Sequence, residues 1–120
     1  MKYSERLKKN RDFQTVYKRG TSRADKYLVM YILENHLGIN RIGVSVSKKV
    51  GNSVVRHRLC RLIREGYRLQ EELFHKGYDV VIIARVNAKD RAYKEIERAI
   101  YHLGDLHHIV ENHHDEKIND

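Results

Sequence analysis

The basic side chains between positions 56 and 68 are the part of this sequence with the most evident chemistry. On a helix at about 100° per residue they fall along one face. The row consists of His57, Arg61, Arg64 and Arg68, flanked by Arg56 and Arg58. Each guanidinium presents planar, paired donors that match a phosphate, whereas a lysine presents a point charge. Lys48, Lys49 and the Gly51-Asn52 backbone precede this helix, where free N–H groups and the positive end of the helix dipole favour an anion.

An ordinary solvated amphipathic helix is the alternative interpretation of this row. Such a helix usually balances its charges with acids, but Glu65 is the only acid between Arg41 and Arg68. The whole chain of 120 residues has 24 Lys/Arg and 16 Asp/Glu, a net charge of +8. The excess lies in residues 1–26 (+6) and 41–68 (+7). A polyanion is the natural partner of such a surface, although a basic face kept for solubility remains open.

Catalysis by side chains of this protein and metal binding have weaker support in the sequence than polyanion binding. His57 could act as an acid or base, but Glu65 is the only other candidate nearby in sequence. His107, His108, His113 and His114 could hold a metal, although a solvated terminal cluster is the favoured interpretation. Cys60 is the only cysteine, which excludes an intramolecular disulfide and a cysteine zinc site and fits a reducing cytosol.

The elements that must position these residues follow from periodicity and from Gly, Asn and Asp, because the chain has no proline. Asn10 is expected to cap a first helix that ends at Gly20, and Asn52 a long helix reaching positions 73–75. Alternation predicts strands over 27–33 and 41–47, and the apolar run 79–84 predicts a strand buried on both faces. Asn87 or Asp90 is expected to open a last helix, and the chain after Leu106 to fray.

Alternation also assigns the faces of these elements. In the first strand Leu28, Met30 and Ile32 oppose Tyr27, Val29 and Tyr31. In the second, Ile42, Val44 and Val46 oppose a small, polar face that suggests a shallow, open groove. The expected core face of the long helix consists of Val55, Leu59, Leu62, Ile63, Gly66, Leu69 and Leu73.

The domain organisation and the cellular location of the protein can also be predicted from the sequence. We expect one domain over residues 1–110 and a polar, frayed tail over 111–120. No apolar run approaches the roughly 20 residues that a membrane span needs, and the first ten residues lack the apolar region of a signal peptide. These observations predict a cytoplasmic protein that does not bind membranes.

Three ordered segments resemble the protein subunit of bacterial ribonuclease P. The central one runs Gly43-Val-Ser-Val-Ser-Lys-Lys-Val-Gly-Asn-Ser-Val-Val-Arg-His-Arg-Leu-Cys-Arg-Leu-Ile-Arg-Glu65. It contains Arg56-His57-Arg58 where that family has Arg-Asn-Arg. The others are 7–20 and 79–85, and the resemblance covers residues 7–106. His57 replaces an amide by a titratable group, and Cys60 and Leu62 stand where the family often has basic residues.

Along the chain the predicted elements follow the order α-β-β-β-α-β-α, in which the strands before the long helix could include one long strand, and a strand, a helix and a buried strand predict a parallel crossover. The resemblance implies an α/β (α+β) two-layer sandwich, ribosomal protein S5 domain 2-like. It implies a four-stranded mixed sheet whose βαβ crossover is left-handed. The general rule for such crossovers predicts the opposite hand.

The resemblance also implies two RNA surfaces and a division of labour. The catalytic RNA subunit would perform the endonucleolytic cut with RNA-bound Mg2+, and this chain would supply no catalytic residue and bind no metal of its own. The surface for that RNA would comprise Lys48, Lys49, Gly51, Asn52, Arg56, His57, Arg58, Arg61, Arg64 and Arg68. The groove for the 5′ leader of precursor tRNA would comprise Phe13, Tyr17, Tyr31, Ser45 and Ser47.

The aromatic residues of this groove allow two interpretations. Aromatic rings on an open face can stack on unpaired bases, but Phe13 could equally pack the first helix onto the sheet. The free protein is expected to be monomeric. An RNA-binding structural protein, for example a ribosomal or assembly factor, is the competing class of function.

Overall fold

Eight regular elements follow one another in the part of the chain that the computed structural model describes, residues 1–111. The strands are β1 (Ser4–Arg6), β2 (Thr21–Ala24), β3 (Leu28–Glu34), β4 (Asn40–Ser45) and β5 (Tyr78–Ala84). The helices are α1 (Asn10–Arg19), α2 (Ser53–Arg68) and α3 (Tyr93–Leu106). Short 3-10 helices at Glu71–Leu73 and Val86–Ala88 precede β5 and α3 respectively.

The strands form one mixed sheet in the order β1-β4-β5-β3-β2. β4 pairs in parallel with both β1 and β5, whereas β3 pairs antiparallel with β5 and β2. The mixed α/β architecture and the parallel β4-α2-β5 unit are confirmed, and the handedness of the crossover stays a prediction. The expectation of four strands is wrong, because β1 adds a fifth at the edge. Its Ser-Glu-Arg sequence has no apolar alternation by which a strand is recognised.

The sheet separates two apolar clusters. Leu28, Met30 and Ile42 pack with Leu59 and Ile63 of α2 and with the inner face of α3. β5 alternates between the clusters, with Val80 and Ile82 on this side and Val81 and Ile83 on the other, as its apolar run predicts. The second cluster joins Val81 to Leu7 and to α1, so α1 adds a partial layer to the face away from α2 and α3.

Two expectations about faces are wrong. Leu69 is 56% exposed, because α2 ends at Arg68 rather than at 73–75 and helical periodicity no longer applies to the residues that follow. Tyr67, in the last turn of α2, is fully buried and packs against Phe74. Tyr27 precedes β3 and packs against the main cluster with α3, instead of facing the side of Tyr31.

Helix starts differ from the sequence expectation at two of three positions. Asn52 caps α2 as predicted: its side-chain oxygen accepts from the backbone N–H of Val55. Asn10 is the first residue of α1 rather than its cap. α3 begins at Tyr93, three residues beyond Asp90, and its cap position is Ala92. Glu95 compensates by accepting from the Ala92 N–H at 3.2 Å.

The chain beyond α3 is anchored rather than frayed up to Val110. Ile109 and Val110 are buried, and Val110 forms a β-bridge with Phe74. The Glu111 N–H donates to Leu73 O at 2.8 Å. The expectation of fraying after Leu106 is therefore wrong for this segment. The rest of the predicted tail, with His113 and His114, lies outside the described residues.

Candidate nucleic-acid interface

The start of α2 has the local features of an anion site. Asn52 Oδ1 accepts from Val55 N at 3.0 Å, and the first turn contains no acidic residue. A Cβ at Gly51 would lie 2.7 Å from Val55 Cγ1, so a larger residue there would force the first turn to shift. Lys48 and Lys49 precede this turn and are exposed.

The outer face of α2 lines a cleft of about 390 Å³, which we call the arginine cleft. Its residues are Met1, Arg6, His57, Arg61, Arg64, Glu65 and Arg68. Burial of Leu59 and Ile63 against the sheet fixes the rotation of α2 and turns the arginine row outwards. His57 and Arg61 are exposed and Arg64 is half-buried. The cleft thus brings together the four residues that helical spacing placed in one row.

The flanking arginines lie outside this cleft. Arg58 Nη2 donates to Arg91 O at 3.1 Å and so leans towards the segment before α3. Arg56 is half-buried, and neither it nor the lysines at the helix start line the cleft. The predicted RNA-binding residues therefore form three groups. The first lines the arginine cleft, the second lies at the start of α2, and the third consists of Arg56 and Arg58 beside the cleft.

Arg6 is a cleft residue that sequence reasoning missed. It is exposed at the end of β1 and reaches the cleft because β1 pairs beside β4. Its membership of the basic block 1–26 was the available signal, but charge alone does not say that this segment returns to α2.

Not every basic residue of the block 41–68 is available to a ligand. Arg41 donates through Nε and Nη2 to the two oxygens of buried Asp79, at 2.7 and 2.6 Å. Asp12 of α1 lies 3.7 Å from Arg41 Nη1. Hydrogen bonding to Asp79 raises the pKa of Arg41. This guanidinium is therefore engaged in contacts within the fold.

Glu65 is the acid of the cleft, and its carboxylate is held by Arg68, three residues later on α2. Hydrogen bonding to Arg68 lowers the pKa of Glu65, and the same contact raises the pKa of Arg68. His57 and Glu65 do line the same cleft. A carboxylate with a lowered pKa is a weaker base, however, so the arrangement does not favour proton transfer by this pair.

A second candidate surface lies on the opposite face of the sheet, where α1 meets β3. Rings of Tyr17 and Tyr31 meet edge to face with centroids 5.2 Å apart, and Phe13 lies 6.4 Å from Tyr17. All three are half-buried. The Phe13 ring covers Gly43, where a Cβ would approach Phe13 Cζ to 2.6 Å. Phe13 therefore packs α1 onto the sheet and narrows the predicted groove.

The polar residues predicted for this groove follow Gly43 along the chain. Ser45 is half-buried at the end of β4, and Ser47 is exposed just beyond it. Tyr17 and Tyr31 are each only half-buried. They are the aromatic residues of this face that remain candidates for base stacking.

Within residues 1–111, no group of three or more His, Cys, Asp or Glu residues lies close enough together to hold a metal ion. None of the helices there is long and apolar enough to cross a membrane. His107, one of the histidines considered for metal binding, is instead half-buried and donates from Nε2 to Met30 O at 2.8 Å.

The domain has a mixed α/β fold, with an arginine-lined helix on one face of its sheet and half-buried aromatic residues on the other. This combination is typical of proteins that bind polyanions such as nucleic acids. Comparison with known proteins gives the family. Residues 1–106 match the family model described as Ribonuclease P. The chain belongs to the ribonuclease P protein family.

Curated relatives agree along nearly the whole chain. The ribonuclease P protein component of Lachnoclostridium phytofermentans is 57% identical over 107 residues, covering 89% of this chain and 92% of that protein. The protein of the same description from Clostridioides difficile is 53% identical over 98 residues, covering 81% and 86%.

Solved structures agree in fold. The RNase P protein of Staphylococcus aureus matches with a TM-score of 0.81 at 35% identity, covering 91% of this chain and 98% of that one. The RNase P protein of Thermotoga maritima matches with a TM-score of 0.78 at 28% identity, covering 84% and 96%.

Proposed function

We propose that this chain is the protein component of a ribonuclease P ribonucleoprotein and takes part in maturing the 5′ end of tRNA. In this role it binds the catalytic RNA and the 5′ leader of precursor tRNA, and so assists endonucleolytic removal of the leader. Family membership along residues 1–106 supports the assignment to ribonuclease P. The arginine cleft is the observation that carries the RNA-binding part.

The arginine cleft suits a phosphate backbone because its guanidiniums share one helix face. Arg61 and Arg64 lie three residues apart on a rigid helix, so their charges add along a line rather than at a point. Such a line of fixed cations can neutralise successive phosphates and release their counterions. Lys48 and Lys49 extend the positive surface to the start of α2.

The leader is assigned to the other face of the sheet. Tyr17 and Tyr31 offer ring surface there on a scaffold fixed by the apolar cluster beneath α1. Base stacking tolerates any sequence because every base has an aromatic face. A leader of variable sequence is therefore a suitable ligand for this surface.

Hydrolysis is assigned to the catalytic RNA and to Mg2+ held by that RNA. Guanidiniums carry no free acceptor and repel a cation, so the arginine cleft is suited to phosphate rather than to Mg2+. Its one carboxylate, Glu65, is bound to Arg68. The chain would then supply affinity and positioning without a catalytic residue, and the free protein would be a monomer.

Reconstitution tests this proposal. The chain is added to a bacterial ribonuclease P RNA with precursor tRNA, at physiological salt and Mg2+ too low for the RNA to act alone. We expect leader cleavage to be restored at the mature 5′ end. A ribosomal or assembly protein of similar charge, used as control, would leave the RNA inactive. Absence of restoration by a folded chain would contradict the proposal.

The same assay separately tests whether the RNA or the protein supplies the catalytic groups. Exchange of His57 for Asn keeps a polar side chain but removes the titratable group from the cleft. If the RNA performs the cut, cleavage at saturating protein should be retained. Loss of cleavage with RNA affinity unchanged would instead place an acid or base on the protein.

A further inference from the structure

The strand β1 is attached to the region after α2 by a carboxylate outside the arginine cleft. Glu71 lies in the short 3-10 helix that follows α2 and is 8% exposed. Its Oε1 accepts from Lys2 N at 2.6 Å. Its Oε2 accepts from Ser4 Oγ at 2.9 Å and from Tyr3 N at 3.4 Å. Three donors of the N-terminal segment thus converge on one buried carboxylate.

Ser4 joins this carboxylate to the core through a chain of hydrogen bonds. Its Oγ lies 2.7 Å from the hydroxyl of fully buried Tyr67, and Asn40 Nδ2 donates to that hydroxyl at 3.2 Å. Burial raises the pKa of Tyr67, so the hydroxyl keeps its proton. One direction satisfies every group: Asn40 donates to Tyr67, Tyr67 to Ser4, and Ser4 to Glu71. Linked bonds of this kind reinforce one another.

The register of β1 determines where Arg6 lies. Ser4 is paired with Asn40 and Arg6 with Ile42, whose side chain is buried with those of α2. Since side chains alternate along a strand, Ser4 and Arg6 share the face that looks towards α2. A slip of one residue would turn Arg6 to the opposite face. A polar strand of three residues has no apolar pattern of its own to prevent that slip.

We propose that Glu71 is a positioning residue, which holds β1 in register so that Arg6 completes the arginine cleft and contacts RNA phosphate. This inference rests on the proposed function. Glu71 acts through the Ser4 side chain and through the backbone of Lys2 and Tyr3, just before β1, and does not itself touch the RNA.

The test substitution is Glu71→Gln, which exchanges one carboxylate oxygen for an NH2 group that cannot accept from a backbone N–H. The substitution also removes a negative charge. By charge alone it would strengthen RNA binding and steepen its salt dependence. Loss of positioning predicts the opposite sign: affinity about two- to fivefold lower, as for one exposed ion pair, and a log–log salt slope shallower by about 0.7–0.9.

Glu72→Gln is the matched control. Glu72 is the next residue, is exposed, and takes part in none of the hydrogen bonds from the N-terminal segment to Glu71. The probe is a bacterial ribonuclease P RNA titrated across a salt series. We expect Glu72→Gln to bind as tightly as the unaltered chain or more tightly, and Glu71→Gln to bind more weakly.

A double substitution shows whether Glu71 acts through Arg6. Arg6→Ala should reproduce the loss seen in Glu71→Gln, and the two together should lose no more than either one. Additive losses, or Glu71→Gln behaving as Glu72→Gln, would overturn the inference. If circular dichroism shows that Glu71→Gln is unfolded, Ser4→Ala replaces it and should give the same non-additivity with Arg6→Ala.

Failure of this inference is distinguishable from failure of the proposed function. If RNA binding responds to Arg61→Ala but Glu71→Gln behaves as its control, only the positioning role is wrong. If the unaltered chain binds no ribonuclease P RNA, the proposed function is wrong and the positioning role falls with it.

Discussion

Replacing Arg61 or Arg64 by Ala isolates the contribution of the arginine cleft, because neither side chain supports the core. Arg61 is exposed and Arg64 half-buried, and both lie across α2 from buried Leu59 and Ile63. Alanine also preserves helix propensity. The fold should therefore survive, and each substitution should remove about one phosphate contact.

The expected magnitude follows from counterion release. Each lost contact should make the log–log salt slope shallower by about 0.7–0.9. The unaltered chain should bind more tightly than the substituted one, and this advantage should shrink as salt rises. Between 0.1 and 0.4 M salt the ratio of the two affinities should fall by about threefold, which is the fourfold change in salt raised to the power of the slope difference. The double substitution should change the slope by about twice as much, or roughly 1.4–1.8.

The assay is affinity for a bacterial ribonuclease P RNA across that salt series, with circular dichroism to verify the fold. Arg98→Ala is the control, because Arg98 is an exposed arginine of α3 that lines a different depression, beside Tyr27 and His102. It removes the same charge and should leave the slope unchanged. Equal slopes for the unaltered chain, Arg61→Ala and Arg64→Ala, all folded, would refute the assignment of the arginine cleft to RNA.

Three further outcomes are expected. Tyr31→Ala should weaken the binding of precursor tRNA by up to about 1–3 kcal/mol, as for one stacked base, and should leave the binding of mature tRNA unaffected. A loss of affinity that does not depend on leader length would show that Tyr31 only packs within the fold. Crowded positive charge should make millimolar sulfate raise the melting temperature above a chloride control of equal ionic strength, and equal melting temperatures would contradict this. Burial lowers the pKa of His107, so the unfolded chain binds more protons than the folded one, and the free energy of unfolding should fall as pH drops from about 7 to 5. His107→Gln should reduce that loss of stability. The same pH dependence in both proteins would show that other groups cause it.

The sequence determined the arginine row and most of the elements that present it. Helical spacing from Asn52 to Arg68 places apolar residues on one face and arginines on the other, and this arrangement needs no knowledge of the rest of the fold. Strand alternation likewise placed Leu28, Met30 and Ile32 on one face, and that face lies in the main core. These inferences succeeded because side-chain direction along a regular helix or strand depends only on local geometry.

Expectations failed where local periodicity stops. Leu69 continues the apolar spacing of α2 but follows its last residue and is exposed. Tyr67 is still within the helix and is buried against Phe74. The helical pattern does not indicate that Ser4 and Asn40, distant in sequence, will satisfy the Tyr67 hydroxyl. Phe13 was likewise open to two interpretations until its ring was found against Gly43.

Only the tertiary structure decided that the N-terminal segment forms part of the cleft. Ser4–Arg6 is polar and short, and such a sequence has no intrinsic preference strong enough to predict a strand. It becomes one because β4 offers a free edge and buried Glu71 collects donors from the segment beside it. Those partners lie at least 36 positions away along the chain, so Arg6 reaches α2 through long-range contacts that no local pattern encodes.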